Sequence, residues 1–333
     1  MKVLKSLLDF SIIMVNFVIN QYNWNKHFCV FIHFIMAKRS GILSDFSLEA
    51  TDFSTVKGHP DQAILNKDFG MVLNVGPFRK DIVNIGQPYR LVEGRILVVT
   101  KGYADFGLNL EDRTIKEGDV ILLVPETVME LKSCTEDFNM MGVIYKAEVI
   151  QPQFQKDNPV ELDNMIFHPR ESDRRQLFSL LGILWDIASR SPFPGNTVNN
   201  LLAAIISNIS DLNIAEQERH PAARLSRGEQ LFTNFKKLVS RYCTTQRNIP
   251  FYAEKLFVSP HHLSSVISKT SGKSVMYWIN RAVILQAKVM LKSKDLMIYE
   301  VADKLNFPNQ SFFSKFFKRE TGLTPLQYQN AEP

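Results

Sequence analysis

Between Asn248 and Tyr328 the chain repeats itself. Ala253-Glu254-Lys255-Leu256 returns as Ala302-Asp303-Lys304-Leu305, and Lys269-Thr270-Ser271-Gly272 returns as Arg319-Glu320-Thr321-Gly322. The offset is 49 residues early in the unit and 50 later, so the second copy carries one extra residue in its turn. A unit of this size met twice is one supersecondary element built twice. Whatever the first copy folds into, the second must also adopt, which restricts this region more than any other feature of the sequence.

Each copy reads as helix, turn, helix. Phe251 to Phe257 is a short helix, Ser259 an N-cap before Pro260 at the first helical position, and His261 to Ser271 a second helix closed by Gly272. In the other copy the helices are Ile298 to Leu305 and Asn309 to Thr321, with a turn at Asn306 to Pro308 and Gly322 as the stop. Leu263, Val266 and Ile267, and in the second copy Phe312, Phe313, Phe316 and Phe317, fall at helical spacing and form the expected buried stripes. Ser274 to Lys292 reads as a connecting helix. Eighteen residues at 1.5 Å each span roughly 27 Å, and successive major grooves on one face of a duplex lie about 34 Å apart. Thr324-Pro325-Leu326-Gln327 is a capping box that opens a last short helix.

The faces opposite the apolar stripes are short, polar and basic, as base edges and phosphates in a major groove require. His261, Ser264 and Ser265 in one helix, with Gln310, Ser311, Ser314 and Lys315 in the other, are the candidate base readers. Lys269, Lys318 and Arg319 are candidate phosphate contacts, and His262, Ser268 and Asn309 complete the candidate interface. Any one lysine there reads equally well as a solvated helix face. The charge distribution carries more weight: residues 230–333 hold 15 Lys+Arg against 6 Asp+Glu, and the rest of the chain holds 24 against 28. A basic module on a slightly acidic body is the footprint of nucleic-acid binding.

From about Glu229 to Asn330, through "AEKL…TSGKS" and "ADKLNFPNQSFFSKFFKRETGLTPLQY", the chain resembles the DNA-binding domain of the AraC/XylS family of bacterial transcription regulators. The resemblance implies a cytoplasmic, sequence-specific regulator, expected to be an activator. Its implied partners are double-stranded DNA at two adjacent major grooves, a second copy of the chain, RNA polymerase and a small-molecule effector. The family often places a large aromatic residue or Arg where His261, Ser264 and Ser265 stand, so more of the reading is expected from the second unit.

Ala63 to about Ala147 reads as short strands between turn signals, including Arg90 to Lys101, Tyr103 to Leu110, Val120 to Val124 and Asn139 to Lys146. That spacing suggests an antiparallel sandwich or barrel. Its order of turns resembles the cupin-like sensor domains that precede many AraC-type DNA-binding domains. Metal-binding cupins present a His cluster with a Glu, yet only His59 and His168 flank this region, one on each side. No catalytic residues, metal or cofactor are expected. Arg90, Arg95, Tyr103 and Glu130 are the polar candidates for a ligand site. Cys29, Cys134 and Cys243 have neither metal-ligand nor redox spacing and read as reduced structural thiols.

Asp173 to Ile214 carries two apolar helical stripes, from Leu177 to Ile187 and from Val198 to Ile209, which either cover the barrel or pair between protomers. Met1 to Ile35 is rich in apolar residues, but its runs Leu7 to Ile19, with Asp9 and Asn16, and Phe28 to Met36, with His33, are each shorter than the ~20 residues of a membrane span, and no small-residue cleavage site follows. It reads as a disordered extension, or as sequence ahead of a start at Met36. The expected class is α+β multidomain: an extension at 1–35, a cupin-like sensor domain at 36–150, a helical dimerisation element at 151–215, a linker at 216–228 and an all-α DNA-binding domain at 229–331. The two helix-turn-helix units in that last domain are placed at about 249–272 and 297–322. A ligand-independent regulator and a cupin-type small-molecule enzyme are the alternatives.

Overall fold

The computed structural model describes residues 45–48, 59, 61–76, 82–146, 148, 163–219, 225–293 and 296–331. The chain divides into Met1–Ile42 and Leu43–Pro333, and only the second unit holds described residues. The expected N-terminal extension lies outside them.

Eleven strands build two sheets among the described residues: β1 Asp45–Phe46, β2 Ala63–Leu65, β3 Phe69–Val72, β4 Pro88–Leu91, β5 Gly94–Lys101, β6 Tyr103–Leu108, β7 Glu111–Lys116, β8 Val120–Leu123, β9 Val128–Cys134, β10 Asn139–Tyr145 and β11 Met165–Phe167. One sheet runs β1-β4-β9-β6-β7 and the other β11-β8-β5-β10-β3-β2. Every pairing is antiparallel except β1 with β4. Strand β8, Val-Ile-Leu-Leu, shows why the apolar runs are continuous. Its side chains alternate between faces, and both faces are covered. Val120 and Leu122 point to one core, while Ile121 and Leu123 point to the core between the sheets.

The first of those cores is closed by two helices, α1 Glu171–Ala188 and α2 Gly195–Arg219. Leu177, Leu181 and Leu184 of α1 and Val198, Leu202 and Ile206 of α2 pack with Phe69, Ile96, Val98 and Tyr145 of the sheet. Of the two readings of the apolar stripes, the structure shows that they cover the β domain. Two boundaries shift. Strand β11 lies beyond 150 and pairs with β8, so the sheet draws on the stretch expected to be helical. Helix α2 also runs into the expected linker, as far as Arg219.

Seven further helices follow among the described residues: α3 Arg227–Tyr242, α4 Ile249–Lys255, α5 Pro260–Ser271, α6 Val275–Lys292, α7 Ile298–Lys304, α8 Gln310–Thr321 and α9 Pro325–Asn330. The capping box expected at Thr324 with Gln327 forms, and another, Ser226 with Glu229, opens α3. The N-terminal half of α6, with Val275, Ile279 and Val283, joins a core with Phe235, Tyr252, Leu263 and Ile267. Its C-terminal half, with Ala287 and Leu291, joins Val301, Leu305, Phe313 and Phe317. One helix therefore serves both repeats. Among the described residues, no helix is long and apolar enough to cross a membrane.

Candidate nucleic-acid interface

The repeat in sequence is a repeat in atoms. Ser259 and Asn309 cap α5 and α8, accepting from the backbone N–H of His262 (3.1 Å) and Phe312 (3.0 Å). Gly272 and Gly322 close them at φ 68° and 80°, where a side chain would be strained. Ser271 Oγ donates to the Ile267 carbonyl (2.7 Å) and accepts from Lys273 N (3.2 Å). Thr321 Oγ1 makes the same two bonds with Phe317 O (2.8 Å) and Leu323 N (3.3 Å). Exposed, half-buried and buried positions coincide residue for residue between 261–270 and 311–320. The turn of each unit holds a non-glycine residue in the left-handed region, Phe257 and Asn306, both at φ 55°. Phe257 therefore lies in the turn, outside the helix expected to include it.

On this scaffold His261, His262, Ser265, Ser268 and Lys269 are exposed on α5, and Asn309, Gln310, Ser311, Lys315, Lys318 and Arg319 are exposed on or beside α8. Ser264 and Ser314 are half-buried, and the Ser264 hydroxyl donates to the Pro260 carbonyl at 2.9 Å, which leaves it less to offer a base. Arg319 is held by the Glu320 carboxylate at 2.7 Å. The expected Phe stripe of α8 is corrected at one position: Phe313 and Phe317 are fully buried, but Phe312 is 61% exposed.

Sequence reasoning missed the link between the units. Arg247, in the loop after α3, donates from Nη2 to the Leu305 carbonyl, and its guanidinium lies 3.9 Å from the centre of the Phe307 ring. Burial lowers its pKa from the ordinary arginine value. Phe307 packs against both cores. The first unit thus grips the turn of the second, and no periodicity in the sequence announces such a contact.

Of the four polar ligand candidates in the β domain, one lines a cavity. That cavity, about 90 Å³, lies between the sheets and is lined by apolar side chains including Phe46, Leu91, Phe106, Met129 and Leu131, with Arg95 the one charged residue among the described lining residues. Arg95 is buried and bridged to Glu93, and its guanidinium donates to the carbonyls of Glu93, Gly94 and Phe46. Burial lowers its pKa, and the Glu93 carboxylate opposes that shift. Arg90 is instead paired with Asp45 at 2.7 Å and faces Glu126 at 3.6 Å. Tyr103 is half exposed, and neither it nor Glu130 lines the cavity. His168 Nδ1 lies 2.8 Å from Asp119 Oδ1, and among the described residues no group of three His, Cys, Asp or Glu could hold a metal ion.

The architecture defines a class: a β sandwich with two covering helices, followed by an all-α domain with two helix-turn-helix units on one connecting helix. Residues 252–331 match the family described as "Helix-turn-helix domain", and this part of the chain is a helix-turn-helix domain of the AraC/XylS type. The chain is similar to the HTH-type transcriptional regulator YijO of Escherichia coli strain K12, 24% identical over 138 residues, covering 41% of this chain and 47% of that protein. It is also similar to YpdC of the same organism, 21% identical over 241 residues, covering 70% and 81%. Its similarity to the E. coli arabinose operon regulatory protein is 32% identity over 82 residues, covering 25% and 28%. The chain thus spans about half the length of YijO and under a third of the arabinose regulator, and most of YpdC.

Proposed function

We propose that the chain is a DNA-binding transcription regulator whose helices α5 and α8 enter adjacent major grooves. The observation that carries this reading is the duplication of caps, stops, closing hydrogen bonds and burial pattern between the two units, each presenting a polar, basic face from a helix capped at both ends. Phosphate contacts from Lys269, Lys318 and Arg319 supply salt-dependent affinity, and His261, Ser265, Gln310, Ser311 and Lys315 read bases. Asn309, His262 and Ser268 border those contacts, with Ser264 and Ser314 in a lesser role. We read the working unit as a cytoplasmic homodimer that acts on RNA polymerase and not as a cupin-type enzyme. In this reading the β domain, with its sheet running to β11, is the sensor, and the helices from α3 onward are the DNA-binding domain.

The effector, in this reading, occupies the cavity between the sheets. A sugar would leave several hydroxyls without partners there, at about 1–3 kcal/mol each, so the cavity favours a small, largely apolar molecule. Arg95 serves the wall more than the ligand, and Arg90, Tyr103 and Glu130 stand outside it.

Gel retardation of genomic fragments by the full-length protein at low ionic strength tests the main reading. Retained fragments and a steep loss of binding with added salt are expected, and the absence of any shifted fragment would end it. Thermal unfolding with small aromatic compounds and with sugars tests the effector: a ligand at 100 times its Kd adds about 2.7 kcal/mol, expected for the aromatic set alone.

A further inference from the structure

Phe312 is the residue that the buried stripe does not claim. It stands in the first turn of α8 and is 61% exposed, whereas Phe313, its neighbour, is fully buried. Its backbone N–H is held by the Asn309 cap at 3.0 Å, so its place on the helix is fixed. Lys315 and Arg319 follow at three and seven residues, which puts all three on one stripe of the helix surface, and both are exposed. A single exposed apolar side chain is ordinary. What distinguishes this one is its position, on the N-terminal turn of a groove-reading helix, beside Gln310 and Ser311. That turn is the part that meets base edges. In the major groove the apolar feature of a base edge is the thymine C5 methyl, and Phe is one of the side chains that contacts it. The matching position of α5 is His262, which is exposed and polar.

We infer that Phe312 reads thymine methyl groups, so that the second unit selects thymine at one or two steps where the first unit makes a polar contact. The inference rests on the DNA-reading function proposed above and names one of its specificity residues.

The test starts from in vitro selection of a bound fragment out of a random duplex library with the full-length protein. Each thymine of the selected fragment is then replaced in turn by deoxyuridine, which removes only the C5 methyl. With the wild-type protein, one or two replacements should weaken binding about fourfold, the factor expected for one methyl-sized group lost from an apolar contact. Phe312→Ala should bind the thymine and uracil forms equally, and Phe312→Leu should keep part of the preference. Lys318→Ala should weaken both forms alike and keep their ratio. Thermal unfolding of Phe312→Ala should match wild type, because the ring is exposed. If no thymine shows methyl dependence, or if Phe312→Ala retains it, the inference is overturned. If selection enriches no DNA at all, the regulator reading fails first and this inference falls with it.

Discussion

Lys315 and Lys318 lie one turn apart on α8, yet helical geometry gives them different work. Both share a stripe with Ser311, at four and seven residues, but Lys315 lies nearer the N-terminal turn that meets base edges and Lys318 further along toward the C-terminal end. Lys315→Ala should reduce the ratio of binding to selected over scrambled DNA, by about 1–3 kcal/mol. Lys318→Ala should weaken all sequences alike and lower the slope of log affinity against log salt by about one. Retardation assays at several salt concentrations check both. Cys243 makes a separate prediction at this scale. Burial pushes its thiol up to about 12, and the thiolate is the reactive species. At pH 8, iodoacetamide should therefore modify the half-buried Cys134 and leave Cys243 intact in the native protein, as peptide mass spectrometry would report. A folded-state pKa above the unfolded value means that burying this neutral thiol supports the fold fully below about pH 8.5. That contribution is lost as pH rises through the folded value.

At the scale of elements, the two units are joined twice, through α6 and through the grip of Arg247 on the second turn. Asn306 adds a weak bond from its side-chain amide to the Thr245 carbonyl at 3.5 Å. Arg247→Ala removes a charge-assisted hydrogen bond worth about 2 kcal/mol and the contact with Phe307. Hydrogen exchange at 305–307 should quicken while helix content by circular dichroism stays unchanged. The same variant should tolerate a one-base-pair insertion between the two contacted grooves better than wild type does. Phe317→Ala, by contrast, empties the centre of the second core and should cost about 3–5 kcal/mol, measured by denaturant unfolding.

For the whole molecule, the turn between β6 and β7 joins the β domain to the DNA-binding domain. Leu110 is buried in the core of the first helix-turn-helix unit with Phe235, Val239 and Ile279. Glu111 bonds Lys236 of α3, and Asp112 faces Arg281 of α6 at 3.4 Å. Two and four residues back along β6, Leu108 and Phe106 pack in the core between the sheets, and Phe106 lines the cavity. Burial raises the Glu111 pKa, but Lys236 and Arg113 outweigh it and hold the carboxyl below the ordinary glutamate value. A depressed folded-state pKa gives stability above the unfolded value of about 4.3 and loses it as pH falls through the folded one. Acidification below pH 4 should thus speed hydrogen exchange in α3, and Glu111→Gln should show that faster exchange already at neutral pH. Leu110→Ala should do so at every pH.

What is local can be read from residue order alone. The caps at Ser259 and Thr324, stops at Gly272 and Gly322, and apolar stripes at helical spacing are each decided within a few residues, so the double unit and its exposed faces were legible, although Asn309, expected as the first helical residue, proves to be the cap. The strands were partly so: β7 and β9 carry charged residues that blur their alternation, and β11 is three residues long and depends on β8 for its pairing. Packing between distant segments set the rest: α1 and α2 cover a sheet, Phe312 leaves the buried stripe, and Arg95 alone of the four polar candidates meets the cavity. The grip of Arg247 belongs with these. Its partner, the Leu305 carbonyl, lies 58 residues away, and contacts at that range form only when packed elements bring the two segments together, so no spacing within either segment encodes them.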